Sequence, residues 1–294
     1  MFYNVKFSAH PHRAPSSRTI RPHWPTDMLL TPVRGTQTIS RAVTLMKAVA
    51  ARPQQGWRLV DLAAHCACDK GTAHRMLAGL VQARLIGQRA SDRHYVPGPL
   101  LFELGLSVSD LGAFSARSMA ALTRLSKSAP GVAYLYLRSD DDFVCAARAG
   151  PDTLKGLSIH PGTRRPLVVA AGGVAMLLAL PLREQQHIIA ANLRQIASFG
   201  AARQSAVHKM LRRSRRAGFG LNLADVVPGI HAAAVPLFDA TGQVFASLSV
   251  SGPPQSLPRT RIDTVVALLR DEADRLEHAW QERKAPAAPP AKLP

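Results

Sequence analysis

Asp69-Lys70-Gly71-Thr72-Ala73-His74-Arg75-Met76-Leu77-Ala78-Gly79-Leu80-Val81 is the stretch on which the reading of this chain turns. Ala73, Met76, Leu77, Leu80 and Val81 recur at three- and four-residue intervals, the spacing of a helix with one apolar stripe. Asp69 suits the position before it, because a carboxylate there accepts from exposed amides and faces the positive end of the helix dipole. Upstream, Ile39, Ala42, Val43, Leu45, Met46, Val49 and Ala50 keep helical spacing until Pro53 and Gly56 stop it. A short second helix is expected over Leu59–His65, and the tight turn Cys66-Ala67-Cys68 joins it to the third. Downstream, residues 85–89 and 93–96 flank the turn Ala90-Ser91-Asp92 as a two-stranded hairpin, and Pro97-Gly98-Pro99 ends the unit. Three small helices followed by a hairpin make a winged helix-turn-helix over residues 38–98.

Charge supports that reading by where it sits. The chain carries 37 Lys+Arg against 19 Asp+Glu, a net +18. Residues 1–38 hold +4, residues 39–98 hold +6, and the remaining 196 residues only +8. A basic bias favours a polyanionic partner or an anionic ligand, although an arginine-rich coding bias produces it too. Residues 1–37 show five prolines and no periodicity and are expected to be a disordered basic arm. They loosely resemble a transit peptide, and Met28 is an alternative initiator, so translation of residues 1–27 stays open.

Beyond residue 98 the pattern is mixed α+β. Residues 99–128 read as a linker helix. Residues 132–138 and 143–148 read as strands around a turn, 157–160 as a short strand, 167–180 as a helix-like apolar run and 203–217 as a basic helix. Residues 232–238 and 243–251 form a hairpin around Asp239-Ala240-Thr241-Gly242, and 260–279 form an amphipathic helix. A tail over 281–294 is Pro/Ala-rich and expected to be disordered.

These motifs, taken in order, resemble the IclR family of bacterial transcriptional regulators. Thr38-Ile39-Ser40-Arg41-Ala42-Val43, Leu62-Ala63, Lys70-Gly71-Thr72-Ala73-His74-Arg75-Met76-Leu77 and Tyr95-Val96-Pro97-Gly98 carry the N-terminal half of the likeness. Gly218-Phe219, Pro228-Gly229-Ile230, Ala233-Ala234-Val235-Pro236-Leu237-Phe238-Asp239 and Leu248-Ser249-Val250-Ser251-Gly252-Pro253 carry the rest. The resemblance spans about residues 36–280. It implies an α+β chain with an N-terminal winged helix-turn-helix, a linker helix, and a GAF-like α/β effector-binding domain over 129–280. It further implies a homodimer or homotetramer on palindromic double-stranded operators, acting as repressor or activator, in the cytoplasm.

A recognition helix reads DNA through short polar side chains on its opening turns, opposite its core stripe. The expected contacts are therefore Lys70, Gly71, Thr72, His74 and Arg75, with Arg89 and Arg93 of the wing and Arg41 on backbone. A partly buried structural role is the rival for Arg75. Gly71 departs from the family, where serine is usual; it removes one phosphate donor and places a weak helix former in the first turn.

For the sensing half, period two in residues 244–251 puts Val244, Ala246, Leu248 and Val250 on one face and Phe245, Ser247, Ser249 and Ser251 on the other. The serine face is either solvated or part of a site. By residue-by-residue resemblance, Leu154, Leu157, Arg165, Ala171, Gly172, Asn222, Ile230, Ala232, Ser249 and Ser251 line an effector pocket. Val168 and Val174 replace a histidine and a lysine usual in relatives, and Asn222 and Ala232 an acid and a cysteine. Arg164 and Arg165 remain as natural partners for a carboxylate, so the expected effector is a small organic acid; pairing elsewhere or pointing to solvent is the alternative for both.

Other classes find less support. No Gly-x-Ser-x-Gly, Gly-x-Gly-x-x-Gly, phosphate loop or His-Glu-x-x-His occurs, so no enzyme is expected. His65, Cys66, Cys68 and His74 lie close, but Cys-x-Cys is not a standard zinc spacing; no metal and no cofactor are expected. Cys66, Cys68 and Cys145 are read as small hydrophobes. No apolar run reaches the roughly 18 residues of a membrane helix. The second functional reading is a degenerate member that binds ligand or oligomerises without sequence-specific DNA binding.

Overall fold

The computed structural model describes residues 35–107, 109–151 and 159–284. The expected arm up to residue 34 and the tail from 285 lie outside them. Three helices open the chain: α1 (Gln37–Ala50), α2 (Leu59–His65) and α3 (Lys70–Gln82). A two-stranded antiparallel wing follows, β1 (Ile86–Gln88) and β2 (Tyr95–Pro97), with Gly87 opposite Val96. Leu45, Val49, Trp57, Leu62, Leu77, Ile86 and Tyr95 meet in one core. Trp57 ties the unit together, because it bridges to Tyr95 through the backbone and donates its indole N–H to the Ala48 carbonyl at 2.9 Å. A buried indole leaves no unsatisfied donor this way. The sharp turn after α2 holds Ala67 at φ 49°, a left-handed conformation costly for any residue with a Cβ.

Residues 99–128 form two helices where one was expected: α4 (Pro99–Leu106) and α5 (Ser109–Ser128). At the end of α4 the Ser107 hydroxyl donates back to the Leu104 carbonyl, a local bond that competes with helix continuation. Nor is α5 only a connector, because Phe114, Ala121, Leu122 and Leu125 are buried against the sheet that follows.

That sheet has, among the described residues, six antiparallel strands: β3 (Val132–Ser139), β4 (Asp142–Ala149), β5 (Arg164–Pro166), β6 (Gly220–Leu223), β7 (His231–Phe238) and β8 (Val244–Gly252). Their order is β5-β4-β3-β8-β7-β6. One face packs on α5 and on α9 (Ile262–Lys284) through Leu125, Leu248, Leu269 and Trp280. The Arg124 guanidinium clasps both Glu272 oxygens at 2.7 and 2.8 Å and so pins α5 to α9. The other face is covered by α6 (Ala171–Leu178), α7 (Leu182–Gln195) and α8 (Ala201–Ala217).

Several expectations change here. Of the strand expected over 157–160, residues 157–158 lie outside the described residues, and Ile159 and His160 are irregular. The apolar run at 167–180 is a single turn of 3-10 helix at Leu167–Val169 followed by α6. The strict alternation expected in β8 breaks at Phe245. Leu237 pairs Ala246 while Phe238 pairs Val244, so Phe245 is the extra residue of a bulge. Phe245 therefore joins Phe114 and Trp280 on the α5–α9 side, and Val244 joins the opposite core. The solvated reading of the serine face fails: Ser247, Ser249 and Ser251 are all buried.

Candidate functional site

Two regions hold the expected functional residues. The first is the start of α3. Asp69 caps it, its carboxylate accepting from the Thr72 amide at 2.8 Å, and that bond holds the carboxyl below its ordinary range. Lys70, Gly71, His74 and Arg75 are all exposed, with Ala73 and Leu77 fully buried on the opposite side. Arg75 is thus not a buried structural arginine; its guanidinium reaches back to the Thr72 hydroxyl at 3.2 Å. Thr72 is half-buried and supports both the cap and Arg75.

On the wing, Arg93 is exposed, with φ at 60°. Arg89 is different. Its guanidinium donates to the Gln54 and Gln55 carbonyls at 3.0 and 2.8 Å and pairs with Asp92 at 3.0 Å. The first two bonds latch the wing onto the turn between α1 and α2 and the third braces the wing's own turn, so Arg89 holds the wing in place through its own chain. Arg41 lies exposed on α1. Cys66 is half-buried, and burial, then the neighbouring Cys68, pushes its thiol up. Among the described residues no three His, Cys, Asp or Glu side chains cluster as metal ligands would.

The second region is a narrow, partly open cavity under the serine face of the sheet. Of the residues that the resemblance implies for the effector pocket, Arg165, Ala171, Asn222, Ile230, Ala232, Ser249 and Ser251 come together around it. Sheet register explains the grouping: Asn222, Ala232 and Ser251 stand in one row across β6, β7 and β8, and Ala234, Ser249 and Tyr134 in the next. Tyr136, Ile159, Val169, Ala170 and Val227 also line the cavity and were not foreseen. For Tyr136 the signal existed, because it sits opposite Ser247 on the neighbouring strand, but using it requires knowing that β3 pairs with β8.

Gly172 stands behind the lining. A Cβ there would come 2.3 Å from the Tyr136 ring, so glycine lets α6 settle on that tyrosine. Leu154 and Leu157 lie outside the described residues. Val168 and Val174 are fully buried core residues.

The two arginines of β5 part company, as alternate strand residues must. Arg164 pairs with Asp142 at 3.2 Å and donates to the Ser139 hydroxyl at 2.7 Å, whereas Arg165 lines the cavity. Asn222 is spent on structure: its amide donates to the Ile230 carbonyl at 2.8 Å and its oxygen accepts from the Val226 amide at 3.2 Å. Those bonds close the loop after β6, which carries Val227 and Ile230 into the wall. Ser249 donates to the Ala233 carbonyl at 3.1 Å and keeps lone pairs free to accept. Tyr136 is pushed well above its ordinary pKa by burial and stays a neutral hydroxyl. Ala170 and Ala171 begin α6, so the positive end of that helix abuts the cavity. Apolar walls, a guanidinium, hydroxyls and a helix N-terminus suit a small molecule with an acid group and an apolar body.

Comparison with known proteins bears on both regions. A family model described as IclR helix-turn-helix domain matches residues 38–90, and one described as Bacterial transcriptional regulator IclR C-terminal matches residues 108–278. A Cupriavidus necator protein named "Probable transcriptional regulator SauR" is 27% identical over 72% of this chain and 85% of its own length. The HTH-type transcriptional regulator BhcR of Paracoccus denitrificans is 24% identical over 85% of this chain and 89% of its own. Among solved structures, an IclR family regulator from Brucella abortus superposes with TM-score 0.65 at 19% identity, covering 82% of this chain and 91% of that one. An IclR homologue from Microbacterium hydrocarbonoxydans, complexed with 4-hydroxybenzoate, superposes with TM-score 0.60 at 17% identity, covering 83% and 98%. At such identities the structural likeness speaks for the fold.

Proposed function

Since the chain belongs to the IclR family of bacterial transcriptional regulators, we propose that it binds a DNA operator through the start of α3 and the wing, under control of a small organic acid in the cavity beside Arg165. The observation that carries the proposal is the cavity itself: one guanidinium, two serine hydroxyls and a helix N-terminus around apolar walls, with no carboxylate in the lining among the described residues. The 4-hydroxybenzoate bound by the Microbacterium homologue is an acid with an apolar body, which supports the same class here. The effector acts by binding one arrangement of the regulator better than another, since only differential affinity shifts such an equilibrium. Assembly as a homodimer fits the exposed apolar side chains Phe102, Leu104 and Leu106 of α4.

The test couples two measurements. Duplexes selected from random DNA by the full-length protein identify an operator, and binding to it should exceed binding to random duplex at physiological salt. Calorimetry against aromatic and aliphatic acids should give binding that Arg165→Ala weakens at least tenfold, with the same acids shifting operator affinity. Sequence-blind binding with a steep salt slope would reject the DNA half of the proposal. Acid affinity unchanged in Arg165→Ala would remove that residue from the site.

A further inference from the structure

Helix α8 gathers charge that the rest of the C-terminal half does not. Its 17 residues hold six Lys or Arg and no Asp or Glu. Residues 99–294 carry a net +8, so this one helix supplies +6 of it, and the remainder is close to balance with 17 basic residues against 15 acidic. An arginine-rich coding bias scatters cations among acids; it does not collect them on one helix. Packing then sorts them. Val207, Met210, Leu211 and Ser214 are buried, and the Ser214 hydroxyl accepts from the Leu221 amide at 2.9 Å, which ties the helix to β6. His208, Lys209, Arg212, Arg215 and Arg216 are left exposed.

The protein answers only part of this charge. Arg213 and Lys209 share the single carboxylate of Asp225, and Arg203 donates to the Val226 carbonyl. Among the described residues no carboxylate pairs with Arg212, Arg215 or Arg216. The helix dipole favours cations in the last turn, where Arg215 and Arg216 stand, but does not account for Arg212 ahead of it. The chemistry of the face selects its partner. A membrane-surface helix inserts its apolar side, and that side of α8 is spent on the core. A protein partner is anchored by exposed aromatic or large apolar side chains, and the exposed face of α8 offers none. Single-stranded nucleic acid needs aromatic platforms, also missing here. A duplex backbone asks only for cations, and guanidinium suits phosphate best. Arg212 and Arg216 stand about 6 Å apart along the helix axis, within reach of neighbouring phosphates that rise about 3.4 Å each along a strand.

We propose that the exposed face of α8 is a second DNA-contact surface, on which Arg212, Arg215 and Arg216, with Lys209, hold duplex phosphates without reading sequence. It adds to the contacts proposed for α3 and the wing, and it rests on the chain binding DNA but not on the identity of the effector.

The test is fluorescence anisotropy of the full-length protein on the selected operator, extended by about 20 base pairs on each side, across a salt series. Arg212→Gln, Arg215→Gln and Arg216→Gln together should lower the slope of log affinity against log salt by about two to three and weaken binding about tenfold or more. Random duplex should weaken equally, so operator preference is kept. Arg212→Lys, Arg215→Lys and Arg216→Lys together should keep most of the wild-type slope. The control is Arg117→Gln, Arg259→Gln and Arg270→Gln together, exposed arginines of α5, of the turn before α9 and of α9 on the opposite side of the sheet; it should leave the slope unchanged. Melting temperatures should stay close to wild type, as for exposed side chains in general. A slope unmoved by the α8 triple variant, or lowered as much by the control, overturns the proposal. Binding to phosphatidylserine vesicles that only the α8 variant loses, with the DNA slope unmoved, overturns it in favour of a membrane surface. A wild type that prefers its operator no more than random duplex rejects the α3 reading, while a lowered slope in the α8 variant keeps this one. Absence of DNA binding by the wild type overturns both.

Discussion

The first turn of α3 offers a perturbation whose two effects can be separated. A Cβ built on Gly71 meets Asp69 Oδ1 at 3.5 Å and Arg75 Nη1 at 4.0 Å, ordinary contacts, so alanine or serine enters without displacing anything. Glycine in a helix costs about 0.5–1 kcal/mol relative to alanine, and a first-turn position lies at the lower end. Gly71→Ala should therefore raise stability by about 0.5 kcal/mol and leave operator affinity within about twofold. Gly71→Ser gains slightly less stability but places a hydroxyl on the exposed side that carries Lys70 and Arg75. One hydrogen bond to an ionised phosphate oxygen is worth about 1.5 kcal/mol, about tenfold in Kd. Fluorescence anisotropy on the selected operator, across a salt series, reads the difference. Both variants should keep the wild-type salt slope, because neither adds a charge. Equal affinities for the two variants would refute the placement of residue 71 against the DNA backbone. A lower melting temperature for Gly71→Ala would refute the open first turn.

Three further outcomes are expected. Arg89→Ala should cost about 1–2 kcal/mol by removing the latch to Gln54 and Gln55, and should weaken operator binding with the salt slope unchanged; a slope reduced by about one would instead mark Arg89 as a phosphate contact. Glu272→Gln should destabilise the chain at pH 7 by about 1–2 kcal/mol. Its bond to Arg124 holds the Glu272 carboxyl below its ordinary range, so that stabilisation is complete above the unfolded value of about 4.3 and fades as pH falls through the folded value; denaturant titrations at pH 7, 5 and 3.5 should show the deficit shrinking only at the lowest pH. Gly220→Ala should cost about 1–3 kcal/mol or more in a thermal melt, because a Cβ there would sit 2.0 Å from the Ala171 carbonyl, whereas Gly112→Ala, with open space around it, should cost nothing.

The winged helix was legible because every one of its signals is local. Apolar spacing marks α1 to α3, Asp69 marks the start of α3, and the 90–92 turn separates the wing strands. The linker was read as one helix because its periodicity runs through Ser107, and the bond from that hydroxyl to Leu104 lies below the resolution of a pattern. The helix α7 went unread for a different reason. Its buried face includes Gln185 and Asn192, polar residues that look like surface. Gln185 is buried because its amide serves the Leu180 carbonyl, and Asn192 because it joins the Val168 amide to the Asp141 carbonyl. Such residues answer orphan backbone groups on other segments, a demand invisible from their own neighbours. The strand β5 is three residues long and reads Arg-Arg-Pro, with no alternation to find.

The cavity shows the same division at the level of function. Ser249, Ser251, Ala232 and Asn222 were found because resemblance fixes them by position. Tyr136 and Val227 were missed because only strand order and loop closure bring them there. The bulge at Phe245 decides how the serine face works. By turning Phe245 onto Phe114 and Trp280, it lets β8 leave the hairpin on the α5–α9 core and still present Ser247, Ser249 and Ser251 on the other side. The central strand is thereby anchored between two cores by aromatic packing on one side and lined with hydroxyls on the other. A ligand that pulls on Ser249 or Ser251 works against a strand held by Trp280 of α9 and Phe114 of α5. Helix α5 is thus joined to the strand that lines the cavity through packed side chains. In the function proposed above, α5 and that strand would be the element an effector biases, and differential affinity would convert the bias into a change at the operator.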